Sequence, residues 1–145
     1  SKIMNEVVYN SNMLLKDGQK INYPKNIDEI SLVQDEKILE LALSNIVHNA
    51  IKYSLENSII DISITQFENN IEFKVKDNGI GIPIVDQKNI FNRYFRAENA
   101  INIQGTGIGL NIVKSHIENL GGSIQFTSEE NIGSTFIITI PNNPL

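Results

Sequence analysis

Leu43-Ser44-Asn45-Ile46-Val47-His48-Asn49-Ala50-Ile51-Lys52-Tyr53-Ser54 is the stretch on which the reading of this chain turns. Joined to residues 36–42, it forms one amphipathic pattern. Leu39, Leu43, Ile46, Val47 and Ala50 recur at three- and four-residue steps, which predicts a helix from Glu36 with Asp35 as its cap. Residues three and four apart share a helix face. Asn45, Asn49 and Lys52 therefore make one polar stripe beside the apolar face, with His48 at its edge. Two amides and an ammonium in line suit a ligand that brings both a cation and an anion. A polar stripe alone is often only a solvated face. Two downstream turns give it weight: Asp77-Asn78-Gly79-Ile80-Gly81-Ile82-Pro83 and Gly105-Thr106-Gly107-Ile108-Gly109-Leu110.

Upstream, residues 3–16 read as a helix with Ile3, Val7, Leu14 and Leu15 inward. Asp17-Gly18 marks a turn, residues 20–23 a short strand ended by Pro24, and residues 27–33 a less regular strand candidate. Downstream, residues 59–67 and 71–75 alternate apolar and polar around Glu68-Asn69-Asn70, which predicts a hairpin. Residues 85–95 read as a helix with Ile90, Phe91 and Phe95 apolar, and residues 97–105 as a polar, mobile loop. A last helix is expected over 107–120, with Ile108, Ile112, Val113, Ile117 and Leu120 inward, stopped by Gly121-Gly122. A second hairpin joins residues 123–128 and 134–140. Hairpins beside several helices predict a two-layer α/β sandwich, a mixed and mostly antiparallel sheet covered on one face by helices.

The 145 residues carry a net charge of −5 and no long basic run, which argues against broad nucleic-acid binding. There is no cysteine, so disulfides and thiolate chemistry are excluded. No stretch has the length of a membrane span and the first residues do not read as a signal peptide, so this fragment is expected to make no membrane contact. Opening abruptly at Ser1-Lys2-Ile3, residues 1–145 read as one domain cut from a longer protein.

Each motif has a physical reading. Alternate glycines after Asp77 let the backbone approach a flat ligand, and a carboxylate at a strand end can accept a hydrogen bond from an exocyclic amine. The Gly105-Thr106-Gly107-Ile108-Gly109 run precedes a helix, whose first N–H groups form an anion site. That run is not a Walker A loop, since no Gly-Lys-Ser/Thr follows, and its third glycine comes one residue early for a dinucleotide fingerprint. In Phe91-Asn92-Arg93-Tyr94-Phe95-Arg96, Arg93 and Arg96 stand one turn apart and can neutralise phosphate, or simply cover an aromatic cluster.

Together these blocks resemble the ATP-binding catalytic domain of bacterial two-component sensor histidine kinases. That family shares the Bergerat fold with DNA gyrase, Hsp90, MutL and the anti-sigma-factor kinases. The blocks fall in the family's order across nearly the whole chain. The resemblance implies ATP and Mg²⁺, with Asn49 coordinating the metal and Asn45 supporting metal or phosphate. Lys52 would contact phosphate and Tyr53 the adenine or ribose side. Asp77 would accept the adenine amino group, Gly79 and Gly81 would allow close approach, and Ile82 would wall the base pocket. Arg93 or Arg96 would reach the terminal phosphates or the partner domain. Gly105, Thr106, Gly107, Gly109 and Leu110 would form the lid hinge and its N–H donors. Gly133-Ser134-Thr135 resembles the family's C-terminal pattern and would close the sheet beside the pocket, with Thr135 among the nucleotide-binding residues. His48 stands where the family often has a small residue; one position from Asn49 it could touch phosphate, but it is expected to point to solvent.

The implied reaction is transfer of the γ-phosphoryl group to a histidine. His48 and His116 are the only histidines, and neither is followed by an acid as the family's phosphoacceptor is. The acceptor would therefore lie on a separate dimerisation domain of the same protein, with a response regulator downstream. This chain alone is expected to bind ATP without autophosphorylating. The domain would be cytoplasmic, with its parent soluble or anchored in the inner membrane. The rival readings are an anti-sigma-factor-type serine kinase and a nucleotide-binding interaction module without catalysis.

Overall fold

A computed structural model describes residues 15, 18–22, 36–54, 56–91 and 109–141. Its elements run β1 (Lys20–Asn22), α1 (Glu36–Tyr53), β2 (Ile59–Gln66), β3 (Asn70–Lys76), α2 (Ile84–Gln87), α3 (Gly109–Asn119), β4 (Ser123–Glu129) and β5 (Gly133–Pro141). Apart from Leu15, which packs against the core, the helix expected over 3–16 lies outside the described residues. So do the strand candidate over 27–33, Arg93, Arg96 and the stretch from 97 through Gly105, Thr106 and Gly107.

One sheet of five strands takes the order β1-β2-β3-β5-β4. β1 lies parallel to β2, and the other neighbours are antiparallel. β5 thus fills the place between the two hairpin arms β3 and β4, rather than an edge. Strand alternation sends one set of side chains to each face. Register lines the covered set into rows: Ile62, Val75, Phe136 and Phe126 cross the sheet together, as do Ile64, Phe73, Ile138 and Ile124. Phe126 meets Phe136 in a stacked pair 5.7 Å between centroids and Phe91 edge-on at 5.9 Å.

Helices α1 and α3 pack on each other and supply the second layer. From α1 come Leu39, Leu43, Ile46, Val47 and Ala50, all buried as the periodicity predicts, and also Ala42 and Ile51. From α3 come Val113 and Ile117, both fully buried. Ile112, expected inward, is 36% exposed. The reason is geometric, because adjacent helix positions stand about 100° apart and Val113 already faces the core. Of the helix expected over 85–95, residues 92–95 lie outside the described residues; over the described part the helix is a single turn, Ile84–Gln87, after which Ile90 and Phe91 reach the core through turns. Among the described residues no helix is long and apolar enough to cross a membrane.

Candidate functional site

The covered face changes character at one end of the sheet. Beyond the two apolar rows lie Ile21 paired with Ile60, then Asp77, Ser134 and Ser128. Asp77 is 6% exposed. Its N–H donates to the Ser134 carbonyl at 2.8 Å, so β3 and β5 stay joined past their last ladder pair. Its carboxylate Oδ1 accepts the Gly79 N–H at 3.0 Å and the Ser134 N–H at 3.2 Å. Among the described residues no donor meets Oδ2. Burial raises the Asp77 pKa, and the two backbone donors pull it back down.

The turn after Asp77 is fastened on two sides. Ile80 N–H donates to the Tyr53 carbonyl at 3.1 Å, and Ser54 bridges Gly79, so the last turn of α1 lies against it. A Cβ on Gly79 would collide with the Tyr53 carbonyl, which is why only glycine fits there. Gly81 has φ +66°, and a Cβ there would strike the Glu129 carbonyl of the β4–β5 hairpin. On that side Asn131 N–H donates to the Ile80 carbonyl at 2.7 Å, and Ile82 N–H to Ser128 Oγ at 2.8 Å. Gln87 Nε2 donates to the Ile82 carbonyl at 3.0 Å and the Ser128 carbonyl at 3.2 Å. Ile82 itself is half-buried against the core.

Asn45, Asn49 and Lys52 lie on α1, all half-buried, and among the described residues neither amide side chain is engaged in a hydrogen bond. The Lys52 ammonium lies 5.3 Å from the Tyr53 ring centroid. Gln19 Nε2 caps the end of this helix, donating to the Ile51 and Ser54 carbonyls at 3.3 and 3.4 Å. The end of α1 that carries Lys52 and Tyr53, with Ser54 after it, therefore touches the turn that follows Asp77. Gly109 opens α3, and Leu110 packs half-buried against the core.

Two expectations change. His48 does not point freely to solvent: its Nε2 is buried and, among the described residues, has no hydrogen-bond partner, and burial lowers its pKa. Thr135 stands on the uncovered face, paired with Lys76 and Thr127. The residue of that stretch that meets Asp77 is Ser134, whose Oγ lies 2.7 Å from Ser128 Oγ. Ser128 and Gln87 carry no signal in the sequence, and within Gly133-Ser134-Thr135 it is Ser134, not Thr135, that strand alternation from Phe136 puts on the covered face.

Residues 34–144 match the family described as Histidine kinase-, DNA gyrase B-, and HSP90-like ATPase. The chain belongs to this ATPase family. Within it, the sensor-like histidine kinase SenX3 of Mycolicibacterium smegmatis is 44% identical over 112 residues, 76% of this chain and 29% of that protein. The heme sensor protein HssS of Staphylococcus aureus is 37% identical over 120 residues, 83% of this chain and 26% of that protein. This chain thus spans less than a third of either relative. The catalytic domain of histidine kinase ThkA superposes with a TM-score of 0.77 and 29% identity, covering 97% of this chain and 91% of that one. A mycobacterial sensor histidine kinase, MprB, shares the fold at TM-score 0.81 and 21% identity, over 99% of this chain and 96% of that one. The sheet order and one-sided helix layer are those of the Bergerat fold of this ATPase family.

Proposed function

We propose that residues 1–145 are the ATP-binding catalytic domain of a sensor histidine kinase, part of a longer protein. The domain binds ATP with Mg²⁺ and delivers the γ-phosphoryl group to a histidine on a separate dimerisation domain of that protein. A response regulator is the next acceptor. The domain works in the cytoplasm, whether or not its parent is membrane-anchored.

One observation carries this reading: a buried carboxylate with one oxygen held by two backbone donors sits beside the end of the amide-bearing helix. Asp77 is matched to an exocyclic amine, and Asn45, Asn49 and Lys52 to the phosphate end. Tyr53 is assigned to the adenine or ribose side and Ile82 to the wall of the base pocket. The donor set also fits the metal. Mg²⁺ takes oxygen ligands and retains waters, so Asn49 with Asn45 would hold it against the phosphates. Bound there, the ion supplies charge neutralisation across the phosphates. Lys52 adds a positive charge, Arg93 or Arg96 another, and the N–H groups from Gly105 to Leu110 are donors to phosphate. In transfer, the acceptor imidazole nitrogen attacks the γ-phosphorus and the bond to the ADP oxygen breaks. The protein contributes position and charge.

The test is transfer in trans. The chain is mixed with labelled ATP, Mg²⁺ and a dimerisation domain taken from the full-length parent. Label on that domain that is acid-labile and alkali-stable supports phosphohistidine. Acid-stable label on serine favours the serine-kinase reading, and nucleotide binding without transfer favours a non-catalytic module. The chain alone is expected to take up no label.

A further inference from the structure

The hydrogen bonds at the polar end of the sheet close into a ring. Asp77 Oδ1 accepts Gly79 N–H; three residues on, Ile82 N–H donates to Ser128 Oγ; Ser128 Oγ lies 2.7 Å from Ser134 Oγ; Ser134 N–H returns to Asp77 Oδ1. One assignment of the two hydroxyl protons satisfies every group. Ser128 Oγ accepts from Ile82 N–H and from Ser134 Oγ–H, and donates its own proton to the Gly133 carbonyl at 3.2 Å. Ser128 is therefore the atom that closes the ring, from a strand 46 residues away in sequence. Gln87 grips the same two residues from the carbonyl side, bonding Ile82 O and Ser128 O. That bridge also gives the one-turn helix α2 a purpose, since α2 ends on the residue that makes it.

We propose that Ser128 and Gln87 are positioning residues that set nucleobase selectivity, by holding the Ile80–Ile82 turn fixed against the Asp77 carboxylate. This rests on reading the site as a purine-nucleotide pocket. Adenine offers an amine at its 6-position and guanine a carbonyl oxygen. A carboxylate at a fixed place accepts the first and repels the second. Such discrimination requires the acceptor to be held within about 0.5 Å, because a loose acceptor shifts to relieve the mismatch. Neither Ser128 nor Gln87 needs to touch the base. Each removes freedom from the group that does.

Selectivity separates this role from a merely structural one. Dissociation constants for Mg-ATP and Mg-GTP are measured by calorimetry on the chain, on Ser128→Ala and on Gln87→Ala, with Gln125→Ala on the uncovered face of β4 as control. Each melting temperature is recorded alongside. Ser128→Ala is expected to weaken ATP about tenfold, the worth of one buried hydrogen bond, and GTP by less than about twofold. The ATP-to-GTP preference then falls about fivefold or more. Gln87→Ala moves the preference the same way, and stands as the test if Ser128→Ala does not fold. Gln125→Ala leaves it in place. ATP and GTP weakening in parallel, or a preference unmoved in both variants, overturns the assignment. A wild-type chain that binds neither nucleotide overturns the pocket reading beneath it, a result distinct from binding with an unmoved ratio.

Discussion

The middle and one end of the same sheet face are built by the same strands and differ in one respect. In the middle, the covered rows are Ile62-Val75-Phe136-Phe126 and Ile64-Phe73-Ile138-Ile124; at the end, the row turns to Asp77, Ser134 and Ser128. The apolar rows gain free energy simply by leaving water. The polar row gives up hydration, and each group recovers it only through a specified partner. The middle of the face therefore tolerates any well-filled packing, whereas the end demands particular atoms at particular distances. That demand is what makes the end suited to recognising a ligand.

The comparison is broken most severely by emptying the middle. Ile138→Ala removes a fully buried side chain and is expected to cost about 2–5 kcal/mol of stability in a urea melt. The folded fraction should still prefer ATP over GTP. Asp77→Asn acts oppositely. It removes a charge-assisted acceptor, so ATP affinity falls by about 1.5–3 kcal/mol, while the melting temperature at neutral pH holds or rises. The sign follows from the raised pKa of Asp77. The folded state holds that proton longer than the unfolded one, so the stability contribution is full below the ordinary carboxylate pKa of about 3.9. It is lost as pH rises through the folded value. On acidification through that raised value, wild type should also lose its ATP-binding advantage over Asp77→Asn.

His48 gives a smaller effect of opposite sign. Its folded pKa is lowered by burial, so protons bind the unfolded state more readily. Stability is full above the ordinary imidazole pKa of about 6.5 and is lost as pH falls through it toward the folded value. The melting temperature of wild type should drop more than that of His48→Leu between about pH 7.5 and about pH 5.5. The smallest effect lies on the uncovered face. Asn22 Nδ2 donates to Asp61 at 2.7 Å in water, and Asn22→Ala should change stability by less than about 0.5 kcal/mol. A larger loss would mean that exposed partners matter as much as buried ones.

Legibility in the sequence follows the same division. The α1 core, both hairpins and the one-sided helix layer are local in origin, and alternation or three- and four-residue steps reveal them. Asp77, Gly79 and Gly81 stand out because carboxylate and glycines adjoin a strand end. Ser128 and Gln87 do not, because their roles arise from pairing across dozens of residues. A serine in an alternating strand looks like any solvated serine. Over its described part, the helix expected over 85–95 stops at Gln87, because Ile90 and Phe91 reach the core through turns that apolar composition alone does not distinguish from a helix. Gln87 meanwhile spends its side chain on Ile82 and Ser128. Ile84 and Val85 are 85% and 70% exposed, so α2 is not held by an apolar face.

The most direct measurement is calorimetric titration of ATP and ADP, with and without Mg²⁺, into this chain and into Asp77→Asn. Binding at micromolar to millimolar strength, about −8 to −4 kcal/mol, strengthened by Mg²⁺ and weakened in Asp77→Asn, is the predicted result. Equal affinity in both proteins, or no binding at millimolar ATP, would contradict the reading of the polar end of the sheet as an adenine-nucleotide site.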